Sequence, residues 1–276
     1  MISAKDAIAA AARKLTGAYA ARDAELLLMH VLGATRAEVL AHPERAMRPR
    51  EQQRFEAAVA ERALGRPIQH ITGTQEFYGL PFAVNSDVLI PRPETEHLVE
   101  AVIAQLPVDR AVSIVDVGTG SGAIAVTLAH ALPLVSVIAL DISRAALDVA
   151  ERNAQANGVA NRVRFLQSDL LEACRDEQFD AVVSNPPYIA DGERDSLAAE
   201  VSEHEPATAL FAGRTGYECY ERLIPQAKDG LRAGGLLAME MGYGQCSRIA
   251  ELLKDWREVE MVKDLQGIDR VVLARR

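Results

Sequence analysis

Asn185 ends an apolar run that reads F-D-A-V-V-S, and Pro186, Pro187 and Tyr188 follow it directly. Prolines are common at strand ends because they cannot donate to a sheet ladder, so one interpretation of this segment is a rigid loop. A second interpretation is a preorganised pocket, with the Asn185 amide at its mouth and Tyr188 as a wall. Other segments of the chain favour one interpretation over the other.

A glycine-rich segment, D-V-G-T-G-S-G from Asp116 to Gly122, lies between a predicted strand and a predicted helix. Glycine lets the backbone approach a ligand closely and adopt positive φ. The spacing is G-x-G-x-G and not the G-x-G-x-x-G of dinucleotide-binding proteins, and the Gly-Lys-Ser/Thr ending of a P-loop is absent. A tight turn without a ligand also needs glycine, so that alternative stays open.

Acidic residues follow the next two predicted strands, Asp141 in A-L-D-I-S and Asp169 in Q-S-D-L, next to Leu170. A carboxylate in the first position can accept from two ribose hydroxyls, and one in the second can accept from an adenine amino group. A helix cap or a solvated loop end is the alternative for each acid alone. Both acids, the glycine loop and Asn185 are expected at the carboxyl ends of successive parallel strands, where open α/β sheets bind ligands.

Seven apolar runs predict the strands that position these residues: S-I-V-D-V, S-V-I-A-L-D, R-V-R-F-L-Q, F-D-A-V-V-S, G-L-L-A-M-E, E-V-E-M-V and R-V-V-L-A. Helices predicted over Ala123 to Ala131 and Arg144 to Asn157 alternate with the first strands, which indicates a mainly parallel sheet covered on both faces. The connection between the last two strands contains little more than L-Q-G-I-D. That is too short for a parallel crossover and predicts an antiparallel hairpin.

The chain before residue 91 has other patterns. Residues 1–66 are alanine-rich, with apolar residues at three- and four-residue spacings, which predicts a small all-α domain. This domain either packs on the main body or holds a partner. Residues 67–90 alternate aromatic and β-branched residues around Gly79 and Pro81, which predicts a β-hairpin linker. Residues 91–276 form the predicted sheet domain, with Pro93 near the start of its first helix.

Composition argues against several classes of protein. The hydrophobic content of 49% is ordinary for a globular chain of 276 residues, and no apolar run reaches the roughly 18 to 20 residues needed to span a membrane. The N-terminus lacks the order of a secretory signal, so a cytoplasmic location is expected. Three cysteines without a C-x-x-C pair and six scattered histidines disfavour a metal site, and the net charge of −9 disfavours wrapping a long nucleic acid.

The glycine loop, the two acids and N-P-P-Y together resemble the S-adenosylmethionine-dependent methyltransferases of the Rossmann-like class I fold. In that class, N-P-P-Y marks enzymes that methylate a planar amide or an exocyclic amine nitrogen. The segments L-I-P-R-P-E-T-E, S-N-P-P-Y-I and H-E-P-A-T-A-L are similar to those of the peptide chain release factor N5-glutamine methyltransferases, and the resemblance covers essentially the whole chain.

This second resemblance implies methyl transfer from S-adenosyl-L-methionine to N5 of the glutamine in the Gly-Gly-Gln motif of class-1 release factors. S-adenosyl-L-homocysteine would be the product. A monomer without a metal, a membrane association or stable nucleic-acid binding is expected. The helical domain at residues 1–66 would then bind the protein substrate.

The resemblance also implies a role for each motif residue. The methionine part of the cofactor would lie against Gly118, Thr119, Gly120, Ser121 and Gly122; Asp141 would bind the ribose, and Asp169 and Leu170 would flank the adenine, with Asn185 also at the cofactor. The glutamine amide would lie against Asn185, Pro186, Pro187 and Tyr188.

Within that segment, Asn185, Pro186 and Tyr188 would be the catalytic residues. The Asn185 oxygen and the Pro186 carbonyl would each accept one amide N–H, and Tyr188 would pack against the amide plane. Some relatives have an aromatic residue at position 170, so Leu170 would keep apolar contact but lose stacking.

Several alternatives stay open from the sequence. Arg92 and Glu94 could bind a ligand or form a structural ion pair, and Glu205 and Pro206 could shape a substrate channel or only a turn. A glutamine methyltransferase of a ribosomal protein and an adenine-N6 nucleic-acid methyltransferase share the N-P-P-Y chemistry. A non-catalytic binding protein and an NAD-dependent oxidoreductase fit less well, since neither explains Asn185 beside this glycine spacing.

Overall fold

The computed structural model describes residues 2–276. They form two compact units, residues 2–73 with Ala198–His204 and residues Thr74–Leu197 with Glu205–Arg276. The α-helices are α1 (Ala4–Ala12), α2 (Ala20–Leu32), α3 (Arg36–Ala41), α4 (Pro49–Ala63), α5 (Ile68–Thr72), α6 (Glu96–Gln105), α7 (Ala123–Ala131), α8 (Arg144–Ala156), α9 (Ala199–His204), α10 (Ala207–Leu210), α11 (Glu218–Gly230) and α12 (Cys246–Leu252). The strands are β1 (Thr74–Phe77), β2 (Leu80–Ala83), β3 (Val112–Val117), β4 (Val135–Asp141), β5 (Val163–Gln167), β6 (Phe179–Ser184), β7 (Ile189–Ala190), β8 (Phe211–Gly213), β9 (Leu231–Glu240), β10 (Arg257–Lys263) and β11 (Asp269–Arg275).

The first unit is all-α, as its sequence pattern predicts. The buried face of α2 carries Ala24, Leu27, Leu28 and Val31 at three- and four-residue spacings. Helix α9, although distant in sequence, belongs to this unit. There Arg62 of α4 donates to Asp23 of α2 and to Glu200 of α9, each over 2.7 Å.

The second unit contains the predicted seven-stranded sheet, in the order β10-β11-β9-β6-β3-β4-β5. The last five strands in this order, β9, β6, β3, β4 and β5, pair in parallel. Strand β11 lies between β10 and β9 and is antiparallel to both, which confirms the predicted final hairpin. The chain fills one side of β3 with β4 and β5 before it returns to the other side with β6. This reversal is the point at which open α/β sheets form a binding crevice.

Helices cover both faces of this sheet. One core contains Leu98 of α6 and Leu128 of α7 against Ile114 of β3, and the other contains Tyr220 and Leu223 of α11 against the opposite face. The predicted helix bounds at Ala123–Ala131 agree with α7. Helix α8 begins after Ser143, whose hydroxyl accepts from the Ala146 N–H as an N-cap.

The predicted β-hairpin exists but is shorter than the segment assigned to it. Strands β1 and β2 pair across Tyr78 and Gly79, which both have positive φ (52° and 74°), as the two-residue hairpin turn requires. Residues 68–72 form α5 instead, because Pro67 precedes a helical turn and Gly73 ends it at a φ of 75°. The predicted domain borders at residues 66 and 90 stay a prediction about independently folding segments. No helix among residues 2–276 is long and apolar enough to cross a membrane.

Candidate active site

A cavity of about 330 Å³ opens at the carboxyl ends of β3, β4, β5 and β6. The predicted site residues that line it are Gly118, Gly120, Asp141, Asp169, Leu170, Asn185 and Pro187. The other predicted residues, Thr119, Ser121, Gly122, Pro186 and Tyr188, do not line the cavity. The structure therefore brings seven of the predicted residues to one surface and places the rest beside or behind it.

The three loop glycines have different environments, although all have positive φ. A Cβ atom added to Gly118 or Gly120 would meet no other atom within 4 Å, so both leave space on the cavity side. A Cβ on Gly122 would lie 3.0 Å from the Cβ of Ala150 on α8. Gly122 therefore permits close packing of the loop on a helix, while Gly118 and Gly120 leave the backbone open to a ligand.

Behind the loop, Thr119 and Ser121 are buried and structural. The Thr119 hydroxyl donates to Oδ2 of Asp116 over 2.6 Å, and the Ser121 carbonyl accepts from the Asn153 amide over 2.8 Å. Asp116 is fully buried, and its Oδ1 has no hydrogen-bond partner among residues 2–276. Burial raises the pKa of Asp116 to about 7, which the Thr119 hydrogen bond opposes.

Asp141 joins the glycine loop to the start of α8. Its Oδ2 accepts from the Gly120 N–H (2.8 Å) and its Oδ1 accepts from the Ser143 N–H (2.9 Å). Burial raises the pKa of Asp141, and these backbone hydrogen bonds oppose the rise. A carboxylate oxygen can accept more than one hydrogen bond, so the fixed carboxylate can still accept from hydroxyls in the cavity.

Asp169 and Leu170, after β5, also line the cavity. Asp169 accepts from Arg222 over 2.6 Å, and both side chains are about half exposed. Leu170 adopts a left-handed φ of 51°, and its carbonyl accepts from the Ser168 hydroxyl over 2.8 Å. The Ser168 hydroxyl thus helps to stabilise the left-handed backbone conformation of Leu170, which lines the cavity.

Asn185 is oriented by a residue that the sequence did not single out as functional. Its Nδ2 donates to Oγ1 of Thr95 over 3.1 Å, and Thr95 lies at the start of α6. With Nδ2 committed to Thr95, Oδ1 is the part of the amide that can accept from a ligand in the cavity.

Pro186 and Tyr188 of N-P-P-Y are fixed by contacts away from the cavity. Pro186 is buried, and the Tyr188 carbonyl accepts from Nε2 of Gln245 over 3.0 Å. The loop beside it is tight, since a Cβ on Gly216 would lie 2.7 Å from that carbonyl. Burial raises the pKa of Tyr188 above its ordinary value, so its hydroxyl stays protonated at neutral pH.

The two remaining sequence motifs meet in an ion pair. Arg92 donates to Oε1 of Glu205 over 2.6 Å, and Glu205 is 7% exposed. Oε2 of Glu205 accepts from the Ile90 N–H over 3.4 Å. These contacts favour the structural interpretation of Arg92 and Glu205, while Pro206 lines the cavity directly.

Sequence reasoning missed Thr95, Arg222, Glu240 and Gln245. Glu240 ends β9 and is 2% exposed, and burial raises the pKa of its carboxyl to about 7. The signal that identified Asp141, an acid at the end of an apolar strand, is also present in G-L-L-A-M-E. Arg222 and Gln245 lie on or beside helices and carry no comparable signal. Among residues 2–276, no group of three or more metal-ligating side chains occurs.

Two family models match the chain. The methyltransferase small domain matches residues 95–213, and the PrmC N-terminal domain matches residues 6–73. A solved structure, the T. thermophilus 16S rRNA N2 methyltransferase in complex with AdoMet and guanosine, superposes with a TM-score of 0.55 over 74% of this chain and 49% of that chain. At 20% sequence identity this likeness shows the fold alone.

Full-length relatives are closer in sequence. The release factor glutamine methyltransferase of Koribacter versatilis is 46% identical over 92% of this chain and 90% of the relative. That of Moorella thermoacetica is 43% identical over 99% of this chain and 98% of the relative. Such identity over nearly whole chains favours this family over the ribosomal-protein and nucleic-acid methyltransferases. The chain belongs to the family of release factor glutamine methyltransferases.

Proposed function

We propose that this chain transfers a methyl group from S-adenosylmethionine to N5 of the glutamine in the Gly-Gly-Gln motif of class-1 peptide chain release factors. The observation that carries the proposal is the orientation of Asn185, whose Nδ2 donates to Thr95 and whose Oδ1 is left to accept at the cavity. Two relatives named release factor glutamine methyltransferases support the choice of substrate.

The residues around the cavity fit the proposed cofactor. Gly118 and Gly120 leave the loop backbone open to the methionine part, and the Asp141 carboxylate is fixed where a ribose needs acceptors. Leu170 offers an apolar surface for the adenine ring, and Asp169 offers a carboxylate at its edge, shared with Arg222. When bound, S-adenosylmethionine supplies a methyl group on a positively charged sulfur.

The acceptor amide needs positioning because its nitrogen lone pair is delocalised and weakly nucleophilic. In this proposal Asn185 Oδ1 accepts one N–H and the carbonyl of Pro186, a residue beside the cavity lining, accepts the other, which fixes the direction of the lone pair. Positive charge develops on this nitrogen in the transition state, so both accepted hydrogen bonds strengthen there. Tyr188, which lies beside the cavity lining, would pack against the amide plane where the amide extends past Pro187. No strong base is required, since the proton leaves to solvent after methyl transfer.

The helical unit, predicted over residues 1–66, is proposed to hold the release factor. Its exposed α4 residues Arg50 and Arg54 provide positive charge within an otherwise acidic protein. The double change Arg50→Glu and Arg54→Glu is expected to raise KM for the release factor without changing cofactor affinity. An unchanged KM would remove this surface from the substrate site.

The reaction is proposed to take place in the cytoplasm, where release factors act on ribosomes, and to require a monomer without metal or nucleic acid. The test is methyl transfer from labelled S-adenosylmethionine to a purified class-1 release factor. Label is expected on the intact factor and not on a factor whose Gly-Gly-Gln glutamine is changed to alanine. Label on both would contradict the acceptor. No label despite measured cofactor binding would redirect the substrate to ribosomal proteins or to adenine in nucleic acid.

A further inference from the structure

Gln245 is a buried amide whose side chain contacts the end of the N-P-P-Y segment. It follows β9 in the sequence E-M-G-Y-G-Q, immediately precedes α12 and is 8% exposed. The mechanism above does not use it. Buried polar groups are usually hydrogen-bonded, so the partners of this amide show which segments it joins.

The two ends of the Gln245 amide bond to groups of opposite kind. Its Nε2 donates to the Tyr188 carbonyl over 3.0 Å and, over a longer 3.5 Å, to the Gly216 carbonyl. Its Oε1 accepts from the Gly242 N–H over 2.9 Å and lies 3.4 Å from the Tyr220 hydroxyl. Turning the amide over would place its oxygen against two carbonyl oxygens and its NH₂ group against an N–H. The partners therefore fix the amide as a donor to Tyr188.

Two glycines also approach Tyr188 closely. A Cβ atom added to Gly216 would lie 2.7 Å from the Tyr188 carbonyl oxygen. A Cβ atom added to Gly242 would lie 2.9 Å from Cδ2 of the Tyr188 ring and 3.0 Å from Oε1 of Gln245. The backbone of one glycine thus packs against the carbonyl of Tyr188, and the backbone of the other packs against its ring. Close packing of this kind leaves Tyr188 little room to move.

We propose that Gln245 is a positioning residue that fixes the end of the N-P-P-Y segment through the Tyr188 carbonyl. The segment is then held at both ends, because the Asn185 amide donates to Thr95 at the other end. The prolines between them have a restricted φ, so a displacement of Tyr188 also moves its neighbour Pro187, which lines the cavity.

The expected effect on turnover rests on the proposed function. In that reaction the Pro186 carbonyl and the Tyr188 ring meet the glutamine amide, so their placement decides how well the nitrogen is aligned with the methyl group. A misplacement of about 1 Å can cost about 100-fold in rate. Gln245 itself does not line the cavity. Its loss should therefore change the rate of methyl transfer and leave cofactor binding intact.

The first test is Gln245→Glu, which keeps the size of the side chain and an acceptor for the Gly242 N–H. It replaces the donor to Tyr188 with a second oxygen. We expect kcat for release factor methylation to fall about 10- to 100-fold, with cofactor Kd within about twofold of the wild type. Gln178→Glu is the matched control, because Gln178 donates from Nε2 to the Asp229 carbonyl over 2.8 Å and does not line the cavity. It should keep the wild-type kcat.

A glycine pair tests the same support without changing Gln245. Gly216 and Gly244 have similar positive φ values of 82° and 78°, so alanine carries a similar backbone cost at both positions. A Cβ on Gly244 would meet no atom of residues 2–276 within 4 Å, whereas one on Gly216 would push on the Tyr188 carbonyl. Gly216→Ala should lower kcat about 10-fold or more, and Gly244→Ala should not. Equal kcat values in these two variants would contradict the support of Tyr188 by close packing.

A readout that needs no release factor is the ¹⁹F spectrum of the protein labelled with fluorotyrosine and saturated with S-adenosylhomocysteine. The chain has six tyrosines, and the Tyr188 signal is the one lost in Tyr188→Phe. It should shift in Gln245→Glu and in Gly216→Ala, and stay near its wild-type position in Gln178→Glu. Circular dichroism confirms that each variant is folded. If Gln245→Glu does not fold, Gly242→Ala takes its place, because Gly242 has no positive φ and alanine there adds only the contacts with Tyr188 and Gln245.

The two readouts separate this inference from the proposed function. An unmoved Tyr188 signal in Gln245→Glu would overturn the inference whatever the activity. A shifted signal together with a wild-type kcat would overturn the role of Gln245 in turnover. A shifted signal in the variants, with no methylation of the release factor by the wild type, would contradict the proposed function alone.

Discussion

The proposed cofactor half and the proposed acceptor half of the cavity differ in how their residues are held in place. The cofactor half, defined by Gly118, Gly120 and Asp141, uses open backbone and a carboxylate fixed by loop N–H groups. The proposed acceptor half, defined by Asn185 and Thr95, uses side chains from separate segments that hydrogen-bond to each other. The cofactor half is therefore set by local backbone conformation, and the acceptor half by tertiary packing. We expect changes in the first to alter affinity and changes in the second to alter turnover.

The largest effect is expected for Asn185→Ala. It removes an acceptor that strengthens in the transition state, so kcat should fall about 10²- to 10³-fold. Cofactor Kd, measured by calorimetry, should stay within about twofold because the cofactor half is intact. Equal losses in kcat and in cofactor affinity would indicate that Asn185 binds the cofactor. They would contradict the expected difference between the two halves of the cavity.

A glycine pair tests the division inside the loop. Gly122→Ala should lower the free energy of unfolding by about 2–4 kcal/mol, since it combines a left-handed backbone with a clash against Ala150. Gly118→Ala carries only the backbone cost, about 1 kcal/mol, but places a methyl group where the ligand approaches. Denaturant unfolding and cofactor titration measure both. Similar stability losses in the two variants would contradict the separate roles.

Asp141→Asn should weaken cofactor binding about 10- to 100-fold, because it removes charge-assisted acceptors and turns an NH₂ group toward a loop N–H. At saturating cofactor, kcat should approach the wild-type value. A lower kcat that saturation does not restore would show that the cofactor half also controls the chemical step.

The smallest effect on activity is expected for Asp116→Asn, because this buried residue does not line the cavity and its change acts on stability. The folded-state pKa of Asp116, about 7, lies above the unfolded value near 3.8. The stabilising contribution of the protonated group is therefore full below about pH 4 and is lost as pH rises through about 7. Between pH 4 and pH 8 the unfolding free energy of the wild type should therefore fall relative to that of the variant by on the order of 4 kcal/mol. Parallel stability curves for the two proteins between pH 4 and 8 would contradict the raised pKa.

The position of the glycine loop and of Asp141 at one edge of the sheet could be predicted from sequence because both follow consecutive strands. D-V-G-T-G-S-G begins at the end of β3 and Asp141 ends β4, and these two strands are neighbours in both sequence and sheet. The antiparallel hairpin of β10 and β11 could also be predicted from sequence, because the connection between these strands is too short for a parallel crossover. The packing role of Gly122 could not be predicted from sequence, because it depends on how closely Ala150 of α8 approaches the loop.

The orientation of the residues in the proposed acceptor half could not be predicted from sequence. N-P-P-Y identified Asn185, but not which side of its amide faces the cavity, because that depends on Thr95 at the start of a distant helix. Glu240 carried the same signal as Asp141 and was overlooked among the strand residues. The sequence pattern also did not predict that α9 belongs to the first unit. That placement involves an ion pair between Glu200 and Arg62, which are far apart in sequence.

The most direct test of the central claim is a crystal structure with S-adenosylhomocysteine and a Gly-Gly-Gln peptide or release factor bound. We expect the glutamine N5 to lie within hydrogen-bond distance of Asn185 Oδ1 and of the Pro186 carbonyl, with Asn185 Nδ2 still bonded to Thr95. A glutamine amide bound elsewhere in the cavity, or an Asn185 side chain released from Thr95, would contradict it.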